Sequence, residues 1–224
     1  VDHSSRTITW IVTDANSDGA GAATSDIEQS TIEIISSSDA PIVTTGGTST
    51  SYTENGIAAV LDNSITISDV DDIELGSAKV TISSGFTVGE TLILESPGSL
   101  GSTFSNNVLT ITGTESLENY RDALRSITYQ STSEDPTKTT YTRIIDWQVT
   151  DANSDGAGAA TSIADASSFI TIVTLSDPPI VTTGGTSSSY TENSTAAIID
   201  SDITISDIDD THLDSAIVTI SSGF

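Results

Sequence analysis

The residues of this sequence best suited to chemistry are acids in three short motifs, and each motif occurs twice. The motifs are Thr-Glu-Asn, Ser-Asp-x-Asp-Asp and Thr-Asp-Ala-Asn-Ser-Asp-Gly. A further acid lies in each of two Ser/Pro-containing segments, at Asp39 and Asp177. The candidate metal ligands are therefore Asp14, Asn16, Asp18, Asp39, Glu54, Asp69, Asp71, Asp72, Asp151, Asn153, Asp155, Asp177, Glu192, Asp207, Asp209 and Asp210.

Acids and amides at alternate positions are typical of calcium sites, because Ca²⁺ takes about six to eight oxygen ligands. The D-x-N-x-D-G stretch matches the opening of an EF-hand loop, but Ser25 or Ser162 stands where the closing Glu belongs. This disfavours an EF-hand and leaves two interpretations, a calcium-ligand loop or an Asx-rich hairpin turn. The Asp-x-Asp-Asp cluster is either a solvated turn or a cation site, since crowded like charges are unfavourable unless a cation offsets them.

The acidic motifs belong to a long internal repeat. Trp10 and Trp147 are 137 residues apart in nearly identical blocks, and Pro41 and Pro179 are 138 residues apart. We therefore expect residues 1–38 to be the C-terminal part of one repeat, 39–176 a complete repeat and 177–224 the N-terminal part of the next. Near-identical copies are typical of arrays that provide length and mechanical presentation, because a catalytic site is rarely needed twice in series.

Composition excludes several classes of function. The formal net charge is -26, from 32 acids and 6 Lys+Arg, which disfavours nucleic acid and anionic membrane surfaces as partners. Cysteine is absent, so disulfides and thiolate chemistry are excluded. No run approaches the ~18 apolar residues of a membrane span. The two histidines, His3 and His212, are not at equivalent repeat positions, so no histidine chemistry is built into the repeat. We predict no enzymatic activity and no catalytic residue.

Short alternating or β-branched runs separated by Gly, Asn, Asp, Ser and Pro predict an all-β fold of tandem antiparallel β-sandwich modules. In the strand around Trp147, alternation predicts that Ile145, Trp147 and Val149 are buried while Asp146 faces solvent. The same alternation predicts that Ile8, Trp10 and Val12 are buried in the first copy. The runs are Ser64–Ser68, Lys79–Ser83, Thr91–Leu94, Val108–Thr112, Ser126–Gln130, Arg143–Thr150 and Phe169–Val173.

One segment has helical rather than strand periodicity. Leu117, Tyr120 and Leu124 are spaced three and four residues apart, and Ser/Thr capping candidates and early acids precede them. This predicts one short helix per module, over Glu115–Arg125, that covers an end or edge of the sandwich.

In order and residue type, the motifs resemble cadherin repeats. The resemblance is closer to the enlarged cadherin-like repeats of bacterial giant adhesins and chondroitin-sulfate-proteoglycan-type proteins, which carry a segment like Tyr120-Arg-Asp-Ala-Leu124. The other matching stretches are Tyr52-Thr-Glu-Asn55, Ile67-Ser-Asp-Val-Asp71, Val149-Thr-Asp151, and the Asp-Ala-Pro and Asp-Pro-Pro linkers.

The resemblance implies that acids from the base of one domain, the linker and the top of the next share calcium ions. Carried over, the first junction would hold Asp39, Asp69, Asp71 and Asp151, and the second Glu54, Asp177, Asp207 and Asp209. The Leu-Asp-Arg-Glu ligand motif of cadherins is missing here, and the linker has fewer acids, so we expect only one or two ions per junction.

The expected function is a calcium-rigidified extracellular structural repeat in the stalk or fibre of a large bacterial surface adhesin or biofilm protein, secreted or displayed on the cell surface. Its partners would be neighbouring repeats of the same protein. Two alternatives remain open: a subunit of a self-assembling filament that contacts other copies, and a carbohydrate-binding module with a glycan or cell-surface ligand. A glycosidase is disfavoured because the paired acids are duplicated between copies and no aromatic cluster indicates a substrate cleft.

Overall fold

The structure is a computed structural model that describes residues 5–35, 37–47, 49–163, 166–185 and 187–223, so His3 and Phe224 lie outside the described residues. Its strands and single described helix are, in chain order, β1 Arg6–Trp10, β2 Glu28–Ile32, β3 Ile42–Thr44, β4 Ser49–Thr53, β5 Ala59–Val60, β6 Thr66–Ser68, β7 Glu74–Ser84, β8 Glu90–Leu94, β9 Gly101–Ser105, β10 Val108–Ser116, α1 Leu117–Arg125, β11 Ile127–Ser131, β12 Thr142–Asp151, β13 Ala166–Val173, β14 Ile180–Thr182 and β15 Thr204–Ser206.

The complete repeat folds as a β-sandwich, which confirms the predicted fold class. A six-stranded sheet in the order β4-β13-β12-β7-β10-β9 packs over a three-stranded sheet in the order β5-β11-β8, and a small β3-β6 pair lies at one end. One pairing departs from the expected antiparallel pattern, because β4 runs parallel to β13. The core lies between the sheets, where the rings of Tyr52 and Tyr129 meet edge to face with centroids 5.1 Å apart.

Strand β12 lies in the middle of the larger sheet, between β7 and β13. From Arg143 to Asp151 its side chains alternate between buried and half-buried. Trp147 is completely buried, as predicted, and its indole Nε1 donates a hydrogen bond to Ser168 Oγ at 3.0 Å. The prediction for Asp146 holds only in part. Asp146 points to the outer face but is half-buried and accepts a hydrogen bond from Ser167 Oγ at 2.7 Å.

The buried face of β12 also includes Arg143, which the sequence pattern did not single out. Arg143 is fully buried, and its Nε donates to Glu90 Oε1 at 2.7 Å. The remaining guanidinium donors reach the backbone carbonyls of Pro136 and Thr140. A buried arginine is tolerated only when its charge is paired and its donors are used. This one therefore ties the loop of residues 132–141 to the body of the sandwich.

Helix α1 is present but begins two residues later than predicted, at Leu117. Glu115 is still paired with Leu75 in the sheet, and Ser116 then caps the helix by accepting a hydrogen bond from the Asn119 amide. Tyr120 and Leu124 face the core, and the Tyr120 hydroxyl donates to the Gly113 carbonyl at 2.6 Å. Burial raises the pKa of Tyr120 to about 12.

The prediction that Trp10 and Val12 are buried is wrong, and Ile8 is only half-buried. Trp10 is 58% exposed and Val12 is 73% exposed, although Trp10 keeps the hydrogen bond to Ser30 Oγ that its copy Trp147 makes to Ser168. Among the described strands β1 pairs only with β2, whereas β12 is flanked on both sides and covered by a second sheet. The strand itself is nearly the same in both copies. Whether its tryptophan is buried depends on the neighbouring strands and the second sheet that cover it.

The last repeat segment reproduces one strand pair of the complete repeat, whereas residues 187–191, 197–198 and 212–222, the counterparts of β4, β5 and β7, form no strand. Strand β14 pairs with β15 in the register of β3 with β6, so that Ile180 faces Ser206 as Ile42 faces Ser68. The division of the chain into 1–38, 39–176 and 177–224 stays a prediction.

Replacing Arg143 with Met should destabilise the complete repeat strongly. The substitution leaves Glu90 charged and unpaired in the core and frees the 132–141 loop, and breaking such a buried pair costs about 3–5 kcal/mol. Chemical denaturation followed by tryptophan fluorescence measures this loss. Arg121→Met is the matched control, because Arg121 forms ion pairs with Glu118 and Asp122 on the helix surface. This substitution should leave the midpoint of unfolding nearly unchanged.

Candidate metal centres at the two ends of the repeat

The predicted ligands of the complete repeat lie at its opposite ends. Strand β12 spans the distance, with Arg143 near one end and Asp151 at the other, which is roughly 25 Å at about 3.3 Å per residue. At the Asp151 end lie Asp69, Asp71 and Asp72, which we call the top cluster. At the Arg143 end lie Glu54, Glu134 and Asp177, which we call the base cluster.

The top cluster is formed by the turn between β6 and β7. Asp69 Oδ1 accepts the backbone amides of Asp71 and Asp72 at 3.1 and 2.9 Å, which bends the chain so that all three carboxylates point together. One oxygen from each lies within 4.8 Å of the others. Asp72 Oδ1 also accepts the Asp155 amide at 3.2 Å and both donors of Ser154, so the loop after β12 packs against the cluster.

Several oxygens in this region are buried without a hydrogen-bond partner. They are Asp69 Oδ2, Asp71 Oδ1, Asp72 Oδ2 and Asp155 Oδ2. Asp72 is only 2% exposed, so its free oxygen cannot be satisfied by bulk water. An unpaired buried charge is strongly unfavourable, and a bound cation would satisfy these oxygens.

The pKa values of the top cluster reflect this crowding. Burial raises the pKa of Asp69 above its usual value, and the charge of neighbouring Asp71 adds to the increase. The pKa of Asp71 is lowered instead, chiefly because its Oδ2 accepts the Asp39 amide at 3.0 Å.

The base cluster is assembled around Glu54, which directly follows strand β4. The Glu54 amide donates to the Val173 carbonyl at 2.9 Å, and Glu54 Oε2 accepts the Leu175 amide at 3.0 Å. Glu54 is 2% exposed, and its Oε1 has no hydrogen-bond partner. Burial raises the pKa of Glu54 despite the Leu175 hydrogen bond, and the charges of Asp177, Glu134 and Asp209 add to the increase.

Each linker acid is attached to the repeat that follows it. The Asp177 amide donates to Asp209 Oδ2 at 3.0 Å, as the Asp39 amide does to Asp71 Oδ2. The Asp177 carboxylate, whose Oδ2 is buried and without a partner, belongs to the base cluster of the preceding repeat. Asp177 therefore contacts both sides of the junction. Asp209 also lies within a third carboxylate cluster, the counterpart of the top cluster, with Asp207 and Asp210.

The D-x-N-x-D-G loop forms an Asx-rich hairpin, and the role of Asp151, Asn153 and Asp155 as metal ligands stays a prediction. Asp151 accepts the amides of Asn153 and Ala160, at 3.0 and 2.7 Å, and Asn153 Oδ1 accepts the Gly158 amide at 2.6 Å. Asn153 adopts the left-handed conformation, with φ of 56°. In this loop Asp155 keeps a buried oxygen without a partner, at the edge of the top cluster.

The first copy of this loop has the same hydrogen bonds. Asp14 accepts the amides of Asn16 and Ala23, Asn16 accepts that of Gly21, and Asp18 accepts that of Ala20. These residues are exposed, and in the described part of the chain no Asp-x-Asp-Asp cluster packs against them. Glu192 is likewise exposed and outside the carboxylate clusters of the described residues. Their role as metal ligands stays a prediction.

Sequence reasoning missed Glu134. This residue lies in the loop between β11 and β12 and belongs to none of the repeated acidic motifs. Only a tertiary contact identifies Glu134. The Tyr52 hydroxyl donates to the Ser131 carbonyl at 2.9 Å and brings the end of β4 beside this loop.

Comparison with known proteins yields one weak similarity, and no family model matches the sequence. Halomucin of Haloquadratum walsbyi is 33% identical over 100 residues, a match that covers 41% of this chain and 1% of Halomucin. The chain therefore matches only about one hundredth of the length of this relative. Separately, none of the helices in the described ranges is long and apolar enough to cross a membrane.

Replacing Asp72 with Asn should have opposite effects with and without calcium. In chelator the amide removes a buried charge and can donate to Asp69 or Asp71, so stability should rise by about 1 kcal/mol. In calcium, the cation-site interpretation predicts that the substitution removes a ligand, so the stabilisation by the ion should shrink. Thermal melting in both conditions measures the two effects. Asp122→Asn, on the exposed face of α1, should change neither, and a uniform loss of stability from Asp72→Asn would contradict the cation-site interpretation.

Proposed function

We propose that this chain is a calcium-stabilised structural segment of a long, repeat-containing extracellular surface protein, and that it has no enzymatic role. The observation that carries the proposal is the set of buried carboxylate oxygens without hydrogen-bond partners at both ends of the complete repeat. A fold that holds acids this close is stabilised by an ion that binds only its folded state.

The donor set favours calcium over other cations. The clusters offer only carboxylate oxygens from aspartate and glutamate, without the imidazole or thiolate ligands that zinc and copper prefer. The ligands come from turns and a linker rather than from a rigid octahedral cage, which suits the variable geometry of Ca²⁺ better than that of Mg²⁺.

The position of the sites supports a mechanical role. Asp177 is bonded through its amide to the following repeat and offers its carboxylate to the preceding one. An ion at this position would hold the linker in one orientation, so that successive repeats form a stiff rod. The neighbouring repeats of the same protein are the partners that this arrangement requires.

An extracellular location is supported by two observations. The net charge of -26 suits a solvated surface chain and disfavours nucleic acid and anionic membranes. The similarity to a segment that makes up 1% of Halomucin supports a place within a very long protein.

Thermal melting with saturating calcium and with chelator tests the proposal. A site held at about 100 times its Kd contributes about 2.7 kcal/mol, so the melting temperature of the complete repeat should rise clearly with calcium. Asp69→Asn combined with Asp71→Asn should remove most of the contribution of the top cluster.

The control has the same net charge as that double variant. Asp122→Asn combined with Asp214→Asn also removes two charges, but both side chains are exposed and lie outside the clusters. This control should keep the full calcium response. Equal melting temperatures in calcium and chelator would show that the clusters bind no calcium and would overturn the proposal.

A further inference from the structure

We propose that Glu134 is a calcium ligand, and that with Glu54 and Asp177 it forms a cation site at the base of the repeat. This inference rests on the proposed function but adds a ligand, Glu134, that the repeated motifs do not contain. One carboxylate oxygen from each of the three residues lies within 4.8 Å of the others.

Glu54 provides an independent indication that this cluster binds an ion. Its side chain is 2% exposed, and one oxygen is occupied by the Leu175 amide. The other, Oε1, is buried and has no hydrogen-bond partner. A purely solvated acidic patch would not bury a carboxylate with one oxygen unsatisfied, because that oxygen loses its hydration without compensation.

The loop that carries Glu134 is held in place on both sides of this residue. Before it, the Ser131 carbonyl accepts the Tyr52 hydroxyl, and after it the Pro136 and Thr140 carbonyls accept the buried Arg143 guanidinium. Glu134 itself accepts a hydrogen bond from Asn55 Nδ2 at 3.2 Å through one oxygen, Oε2. The Glu134 side chain is exposed, but the backbone of its loop is positioned before an ion arrives, which lowers the entropic cost of binding.

The space beside the cluster can hold an ion with part of its hydration shell. A cavity of about 500 Å³ opens next to it. Its polar lining consists of Glu134, Asp177, Asp207 and Ser206. Its apolar lining consists of Pro178, Ile180 and Ile208.

The origin of the three ligands gives the site a defined role. Glu54 comes from the end of β4, Glu134 from the β11–β12 loop and Asp177 from the linker. An ion bound by all three fastens the linker to the repeat that precedes it. The opposite attachment, of the linker to the following repeat, is already made by the Asp177 amide and Asp209. The base site would therefore add a contact at Asp177 to the hydrogen bond that already joins Leu175 to Glu54 on this side of the junction.

Carboxylate ¹³C NMR of the full chain with selectively labelled glutamate can test this site alone. The top cluster and its counterpart in the following repeat consist of aspartates, whereas the base cluster contains two of the ten glutamates. We expect two glutamate carboxylate resonances to shift during a Ca²⁺ titration. Spectra of Glu54→Gln and Glu134→Gln should identify them, each variant lacking one. Glu134→Gln should weaken binding at this site at least tenfold, seen as a later shift of the Glu54 resonance.

Glu118→Gln is the matched control, because Glu118 is exposed on α1 and should leave both shifting resonances unchanged. If the Glu54 resonance alone shifts and Glu134→Gln does not alter its titration, Glu134 is not a ligand and the inference is wrong. If no glutamate resonance shifts while calcium still raises the melting temperature, the base site is also wrong, but the aspartate clusters and the proposed function stand. If neither response is seen, both the inference and the proposed function fail.

Discussion

Repulsion between carboxylates held close together is the constraint on which both ends of this repeat depend. The turn after β6 and the junction after β13 each bring three acids within 4.8 Å, and Asp72 and Glu54 are almost completely buried there. A sandwich cannot relax such clusters by moving the side chains into solvent, because Asp72 and Glu54 are anchored by backbone amides. The energy of the metal-free ends therefore depends on what offsets their charge.

Burial of apolar side chains in the core of the sandwich offsets the unfavourable energy of these acidic clusters. Strand β12 buries Ile145, Trp147 and Val149 between two sheets, and burial of such side chains contributes about 1.5–3 kcal/mol each. The same strand ends near one cluster at Asp151 and begins beside the other with Arg143. The rigid middle of the repeat thus sets the separation of its two charged ends.

Repetition of sequence produces repeated turn and linker hydrogen bonds, but not every repeated strand, since the counterpart of β7 at residues 212–222 forms none. The linker amides of Asp39 and Asp177 make equivalent contacts at 3.0 Å, and the loops after Asp14 and Asp151 close with equivalent hydrogen bonds. Burial does not repeat in this way: Trp10 is exposed and Trp147 is buried, although their strands are nearly identical.

Sequence by itself determined the β-sandwich, the short helix, the buried face of Trp147 and the acids of the top cluster, because these follow from periodicity and from residues adjacent in the chain. Tertiary structure alone decided the rest. Arg143 could be identified as buried only once Glu90 was placed opposite it, and Glu134 joined the base cluster only because Tyr52 binds the Ser131 carbonyl, 79 residues away in the chain. Contacts between residues so far apart in the chain leave no local sequence pattern, because neither partner is marked by its type or by its spacing from nearby residues.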